Sequence, residues 1–277
     1  MKIRVVEELM RAKAASDGDG VRLMRVFGGQ DLTRFDPFLM LDEFGSDQAS
    51  DYIGGFPSHP HRGFETVTYM LDGHMQHRDH LGNVGELKSG DVQWMTAGSG
   101  IIHSEMPQQE DGRMRGFQLW LNLPAKDKMQ KASYRDIAAT QIPVFERAGA
   151  RIKAIAGNLP DLQGLVQREV TQALLLDIDI GVQAYSDQFA IADGHTVLVY
   201  VYEGEVLVGE SRVSQSQMAR LSRQGMVSLR AEQPARLLLL AGKPIGEPIV
   251  HYGPFVMNTR EEIEQALRDY REGTLTA

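Results

Sequence analysis

At 277 residues, with 42% hydrophobic and 24% charged residues, the chain has the make-up of a soluble globular protein long enough for two ordinary domains. It has no cysteine, which excludes disulfides, thiolate metal sites and cysteine nucleophiles; any metal must be held by nitrogen and oxygen. A net charge of -8 argues against broad binding to nucleic-acid phosphates, so no direct nucleic-acid partner is expected.

Along the first twenty residues, Glu7, Glu8, Arg11 and Lys13 interrupt any apolar run, which is unlike a secretory signal. No later stretch approaches the ~20 apolar residues of a membrane helix, so a cytoplasmic location without a membrane partner is expected. The chain then reads as short β segments between glycine- and Asp/Asn-marked turns. Val21–Phe27 is the first clear strand, and Thr66–Leu71 follows with a turn at Leu71–Gly73. Further turns at Leu81–Gly85 and Lys88–Asp91 precede the strands Asp91–Thr96 and Arg115–Leu123. The last of these alternates Gln118, Trp120 and Asn122 with Phe117, Leu119, Leu121 and Leu123, so one polar-aromatic face could line a pocket mouth. Two-faced packing explains the same pattern. The polar stretch Ala125–Thr140 reads as a connection between domains. Val197–Tyr202, a turn at Glu203–Gly204 and Arg236–Ala241 follow. One helix is expected near the C-terminus, where Thr259 and Glu262 form a capping box and Ile263, Leu267 and Tyr270 share a face. Glu264 and Arg268 add an i,i+4 pair, and Gly273 is its stop.

A weak repeat organises these strands. Gly63–Gly73 can be laid over Gly194–Gly204, with the glycines, Tyr69 and Tyr200, and Asp72 and Glu203 coinciding, and Gly90 then matches Gly225. The expected fold is all-β: two tandem barrels, residues 1–139 and residues 140–277, the second carrying the terminal helix.

The chemistry concentrates in two segments. Ser58–Glu65 reads Ser-His-Pro-His-Arg-Gly-Phe-Glu, and about forty residues on, Gly100–Pro107 reads Gly-Ile-Ile-His-Ser-Glu-Met-Pro. Residues i and i+2 of a strand share a face, so His59 projects with His61, and His103 with Glu105. Side by side in one barrel wall, these four would converge as metal ligands. Three imidazoles and a carboxylate suit one divalent first-row metal with positions left open for water or substrate. Fe(II) is natural where oxygen chemistry follows, while ligand softness also admits Mn, Co, Ni, Cu or Zn. A lone His-x-His is more often an unremarkable strand or loop feature; two same-face pairs are a different matter. In the second copy His59 and His61 fall opposite Ala190 and Ala192, and His103 and Glu105 opposite Leu238 and Leu240, so that barrel is expected to be metal-free. His74, His77 and His80 cluster near a hairpin and read as a solvated turn rather than a second site. His195 and His251 read as structural or exposed.

At these residues the chain resembles the pirin family of the cupin superfamily. The likeness is carried by His59–Val67, Gly90–Pro107, Gln118–Pro124 and Tyr252–Ala266, and it spans nearly the whole sequence. It implies two cupin (jelly-roll) barrels with iron in the N-terminal one, the family's three histidines and glutamate falling on His59, His61, His103 and Glu105. The match to the general cupin pattern is looser: Thr96 stands at its usual proline, His103 comes two residues late, and its usual glutamate would be Glu65. A straight strand puts Glu65 roughly 13 Å along the chain from His61 but Glu105 only about 7 Å from His103, which favours Glu105. The resemblance further implies quercetin 2,3-dioxygenase activity, which opens a flavonol with O2 and releases carbon monoxide, with Glu105 as general base for the flavonol hydroxyl. The alternative it carries is an iron-binding regulatory module that engages a protein partner in a redox-dependent way. A sugar-phosphate isomerase ranks last, since no Arg/Lys set converges near the motifs to hold a phosphate.

Overall fold

The computed structural model describes residues 2–29, 31–181 and 184–277, and antiparallel strands dominate it. The chain forms two compact units, one of Lys13–Ala139 with Ile245–Ala277, the other of Met1–Ala12 with Thr140–Pro244. Each is a barrel of one seven-stranded and one four-stranded sheet.

In the first barrel the seven-stranded sheet runs Ser133–Ile137, Val92–Thr96, Phe64–Asp72, Met114–Asn122, Phe38–Ser46, Val21–Phe27, Lys13–Asp17. Its four-stranded sheet runs Phe56–His61, Ile101–Pro107, His74–Asp79, Val84–Lys88. Period-two patterning places these strands: in Val84–Lys88, Gly85 and Leu87 are buried while the other three residues are exposed. The second barrel repeats the order with Val6–Arg11, Gln217–Leu221, Thr196–Glu203, Ala235–Gly242, Leu174–Ile180, Ala150–Ala156, Val144–Arg147. Its smaller sheet is Tyr185–Phe189, Val227–Ala231, Glu205–Val208, Ser211–Ser214.

Three features depart from the sequence-based expectations. The stretch Ala125–Thr140 is not a free connection: it supplies a short helix, Ala125–Lys128, and the edge strand Ser133–Ile137 of the first barrel, and the units part at Ala139 and Thr140. The termini are exchanged relative to residues 1–139 and 140–277. Val6–Arg11 pairs with Gln217–Leu221 in the second barrel, and the terminal helix Arg260–Arg271 packs with the first. The reason is edge protection: the second barrel lacks a following strand to cover the row of amides on Gln217–Leu221, and the chain's start provides one. Finally, sheet position reassigns the repeat. Leu238 and Leu240 sit on Ala235–Gly242, the counterpart of Met114–Asn122, whereas Ile101–Pro107 matches Val227–Ala231. The pairs His59↔His103 and Phe189↔Val227 correspond, and so do Glu105↔His77 and Leu229↔Val208. Phe189 rather than Ala190 thus stands in the place of His59. Gly90 and Gly225 are not counterparts: Gly90 precedes Val92–Thr96, whereas Gly225 follows Gln217–Leu221, the strand in the same sheet position, so a count from the two glycines is displaced by one strand.

The two interiors differ accordingly. Phe189, Ile191, Val208, Val227 and Leu229 belong to a continuous apolar core in the second barrel, whereas among the described residues the first barrel shows smaller, divided clusters. The helix forms as its sequence indicates: Thr259 and Glu262 close the capping box, and Gly273 follows with φ +73°. Ile263 and Ala266 form its buried face, Tyr270 is exposed, and Arg268 bonds Gln265 rather than Glu264. Arg62, next to His61, ties the helix down by donating to Asp269 at 2.7 Å, to the Leu275 carbonyl and to the Ser99 carbonyl. Gly63 is required here: a Cβ would sit 2.0 Å from the Val256 carbonyl oxygen.

Candidate metal centre

The site grows from one antiparallel pair. Phe56–His61 is an edge strand, which is why it tolerates Pro57 and Pro60, neither of which can donate to a ladder. Its register against Ile101–Pro107 sets His59 opposite His103 and His61 opposite Ile101, so the three imidazoles converge. Their centroids are 4.3 Å (His59–His103), 4.7 Å (His59–His61) and 4.9 Å (His61–His103) apart. Their ligand atoms lie within 4.8 Å of one another, and this is the one group of its kind among the described residues. A register shift between His103 and Glu105 sets Glu105 opposite Phe56, and Glu105 is not part of that close group.

Each ring is held differently. His59 donates from Nδ1 to the Pro57 carbonyl at 2.8 Å, which leaves Nε2 bare. His103 has its Nδ1 2.8 Å from His77 Nε2. His61 is oriented by aromatic edges, 5.1 Å from Phe64 and 5.5 Å from Trp120. Both nitrogens of His61 and Nε2 of His103 are buried without a hydrogen-bond partner among the described residues. Unpaired buried imidazole nitrogens are what a metal ion satisfies, and three imidazoles beside a carboxylate suit a divalent first-row ion. Burial, and secondarily the neighbouring imidazoles, hold the pKa of His61 and of His103 well below the ordinary range. Both are neutral at pH 7, the form that binds metal. The residues present fit the metal.

Glu105, 3% exposed, accepts the Thr68 hydroxyl at 2.9 Å, and Thr68 also meets the Gln118 amide at 2.6 Å. The Gln118 atom at that distance is Oε1 and a hydroxyl has one proton, so both bonds hold together only with the Gln118 amide turned end for end, its nitrogen donating to Thr68 and Thr68 donating to Glu105. Glu105, His59 and His61 line a cavity of ≈ 720 Å³ with Gln118 and Trp120, which assigns the polar-aromatic face of that strand to a pocket wall. Leu32, Met40, Phe44 and Phe56 supply its apolar surface, and Asp17, Asp19 and Asp42 outnumber the lone Arg25. Arg25 is itself committed to Asp42 through two hydrogen bonds of 2.9 and 2.8 Å. Glu65 lies elsewhere: it sits on Phe64–Asp72, opposite Thr96, whose hydroxyl it accepts at 2.6 Å.

The other histidines separate. His74 meets Glu86 at 2.5 Å, and His80 sits by the Ile102 amide, so the hairpin histidines form no cluster of their own. His77, expected to be solvated, is fully buried behind His103. Its signal was parity, since Met75 and His77 are the buried alternation of their strand. His195 is buried in the second barrel, and His251 is exposed at the cavity's rim.

Paired barrels of this strand order, one with an imidazole cluster inside and the other filled with apolar side chains, define a two-domain cupin. The chain belongs to the pirin family. The pirin model matches residues 20–121, and the model of the pirin C-terminal cupin domain matches residues 177–276. A Pseudomonas aeruginosa protein that bears the name "Putative quercetin 2,3-dioxygenase" is 56% identical over 282 residues, covering 99% of each chain. The crystal structure of quercetin 2,3-dioxygenase from Acinetobacter baumannii superposes with a TM-score of 0.91 at 36% identity, over 100% of this chain and 99% of that one. The bacterial pirin of Escherichia coli in complex with nickel(II), 22% identical, shares the fold with a TM-score of 0.66 over 86% of this chain and 98% of its own.

Proposed function

We propose that the protein is a metal-dependent dioxygenase that opens flavonols such as quercetin with O2 and releases carbon monoxide. The reading is carried by three clustered imidazoles, two of them (His61 and His103) buried with unpartnered nitrogens, with His59, His61 and Glu105 on the wall of a cavity large enough for a flavonol. Relatives named for quercetin 2,3-dioxygenase support it. His59, His61 and His103 would hold the ion with Glu105 as fourth ligand, Fe(II) being the first choice and Mn, Co, Ni, Cu or Zn the alternatives. When bound, the metal supplies a Lewis acid that stabilises negative charge on a substrate oxygen.

The chain does the rest. Glu105 takes the flavonol hydroxyl proton on its free carboxylate oxygen, and Thr68 holds the carboxylate at the angle this needs. Trp120 and the apolar wall receive the flat rings. The carboxylates along the cavity disfavour phosphorylated substrates. No helix among the described residues is long and apolar enough to cross a membrane.

Metal analysis of protein purified without added metal, together with oxygen uptake on flavonols, tests the reading. One metal per chain and carbon monoxide among the products are expected. A stoichiometry near two, or binding that survives loss of both His59 and His61, overturns the site. Iron-loaded protein that consumes no oxygen with flavonols, yet binds a cellular protein in a redox-dependent way, establishes the regulatory module instead.

A further inference from the structure

His77 lies outside the expected ligand set, yet it is fully buried directly behind the metal centre. Its strand, His74–Asp79, pairs with Ile101–Pro107 on the side away from Phe56–His61 and sets His77 opposite Glu105. The ring is 4.9 Å from that of His103 and 5.2 Å from that of Tyr134, so it is packed on both sides. With His77 Nε2 and His103 Nδ1 2.8 Å apart, a single proton lies between two imidazoles, and the ring that owns it decides what His103 can do.

Suppose His77 donated. A neutral His103 would then carry its own proton on Nε2, the buried nitrogen with no hydrogen-bond partner, and that lone pair would be lost to a metal. In the other arrangement His103 donates from Nδ1, its Nε2 stays bare toward His59 and His61, and His77 keeps its proton on Nδ1. Only this second arrangement leaves a lone pair on His103 Nε2 for the metal, and it puts the His77 proton on an Nδ1 that is buried without a hydrogen-bond partner among the described residues.

We propose that His77 is a positioning residue of the metal centre, whose Nε2 accepts the Nδ1–H of His103 and thereby fixes that ring's tautomer and angle with Nε2 turned to the metal. The proposal rests on the reading that His59, His61 and His103 hold a metal. It gives His103 the same support that the Pro57 carbonyl gives His59. Partners of this kind orient metal-bound imidazoles and raise their basicity.

The test uses the intact chain with zinc as a diamagnetic probe. Long-range proton–nitrogen correlation of the imidazoles should show His103 protonated at Nδ1 and His77 bare at Nε2, with and without zinc. Zinc affinity, read by competition with a chromophoric chelator, should fall about 10–100-fold in His77→Phe. His77→Gln places an amide oxygen near the lost Nε2 and should restore affinity to within about fivefold of wild type. A proton on His103 Nε2 in the wild type overturns the proposal, and that spectrum needs no variant. Equal zinc affinity in wild type and His77→Phe overturns this proposal alone. Failure of the wild type to take zinc overturns the metal reading and this proposal with it.

Discussion

Two threonines offer the same perturbation at two addresses. Thr68 donates to Glu105 at 2.9 Å and Thr96 to Glu65 at 2.6 Å, and all four residues are buried. Valine keeps the shape of threonine and removes only the hydroxyl. Each carboxylate then loses a bond of a kind that contributes about 1.5–3 kcal/mol. Thr68→Val and Thr96→Val should therefore destabilise the metal-free protein by similar amounts in urea unfolding. They should part company at the metal. Glu105 shares the cavity with His59 and His61, and loosening it by as little as about 1.4 kcal/mol lowers affinity tenfold. Glu65 takes no part in that wall, so Thr96→Val should bind zinc or iron as wild type does. A chelator competition on both variants decides the matter. An unchanged affinity in Thr68→Val, or an equal loss in Thr96→Val, would refute the choice of Glu105 over Glu65.

Lys128 and Trp120 carry two further expectations. The ammonium of Lys128 is buried, donating to the Gly63 and Val256 carbonyls and to Asn122, and burial pushes its pKa down to about 8 against the opposing pull of Glu247 and Glu262. Between pH 8 and the ordinary lysine value of 10.5 the unfolded chain holds a proton that the folded one has released, so stability rises with pH, by up to about 3 kcal/mol. That gain is lost as pH falls through 8. Urea unfolding of wild type and Lys128→Met at pH 7, 9 and 10.5 should show the rise in wild type alone, and parallel pH slopes would exclude it. Trp120→Ala removes an edge contact to His61 and a wall of the cavity. Metal content should hold, because the edge contact of Phe64 still orients His61, while KM for flavonols rises about three- to tenfold, the worth of an aromatic contact; an unchanged KM would place the substrate elsewhere.

The ligand histidines were legible because strand parity is a local property: His59 with His61, and His103 with Glu105, share faces whatever the strands pair with. His77 was not, since its role depends on which strand lies beyond Ile101–Pro107, and its spacing from His74 and His80 reads equally as a polar hairpin. Thr68 likewise matters only through a contact between the two sheets of the barrel. The exchanged termini had the same cause. Val6–Arg11 alternates as any edge strand does, and nothing in that alternation names Gln217–Leu221 as its neighbour. The terminal helix announced its own cap but not the barrel it joins, because Arg62, which receives it, lies some two hundred residues earlier.

The same strand order encloses imidazoles in one barrel and Phe189, Val208, Val227 and Leu229 in the other, and intermediates between the two are physically poor. A single histidine at Val227 would be a buried polar ring among aliphatic neighbours, with nothing to pair its N–H. In the first barrel each imidazole has a separate means of support: Pro57 for His59, His77 for His103, the edges of Phe64 and Trp120 for His61. One nitrogen of each of His59, His61 and His103 is left for the cluster, where these ligand atoms lie within 4.8 Å of one another and one ion can satisfy them together. The polar interior is thus tolerable only as a complete set, and the divided apolar core of the first barrel is the packing consequence of keeping that set.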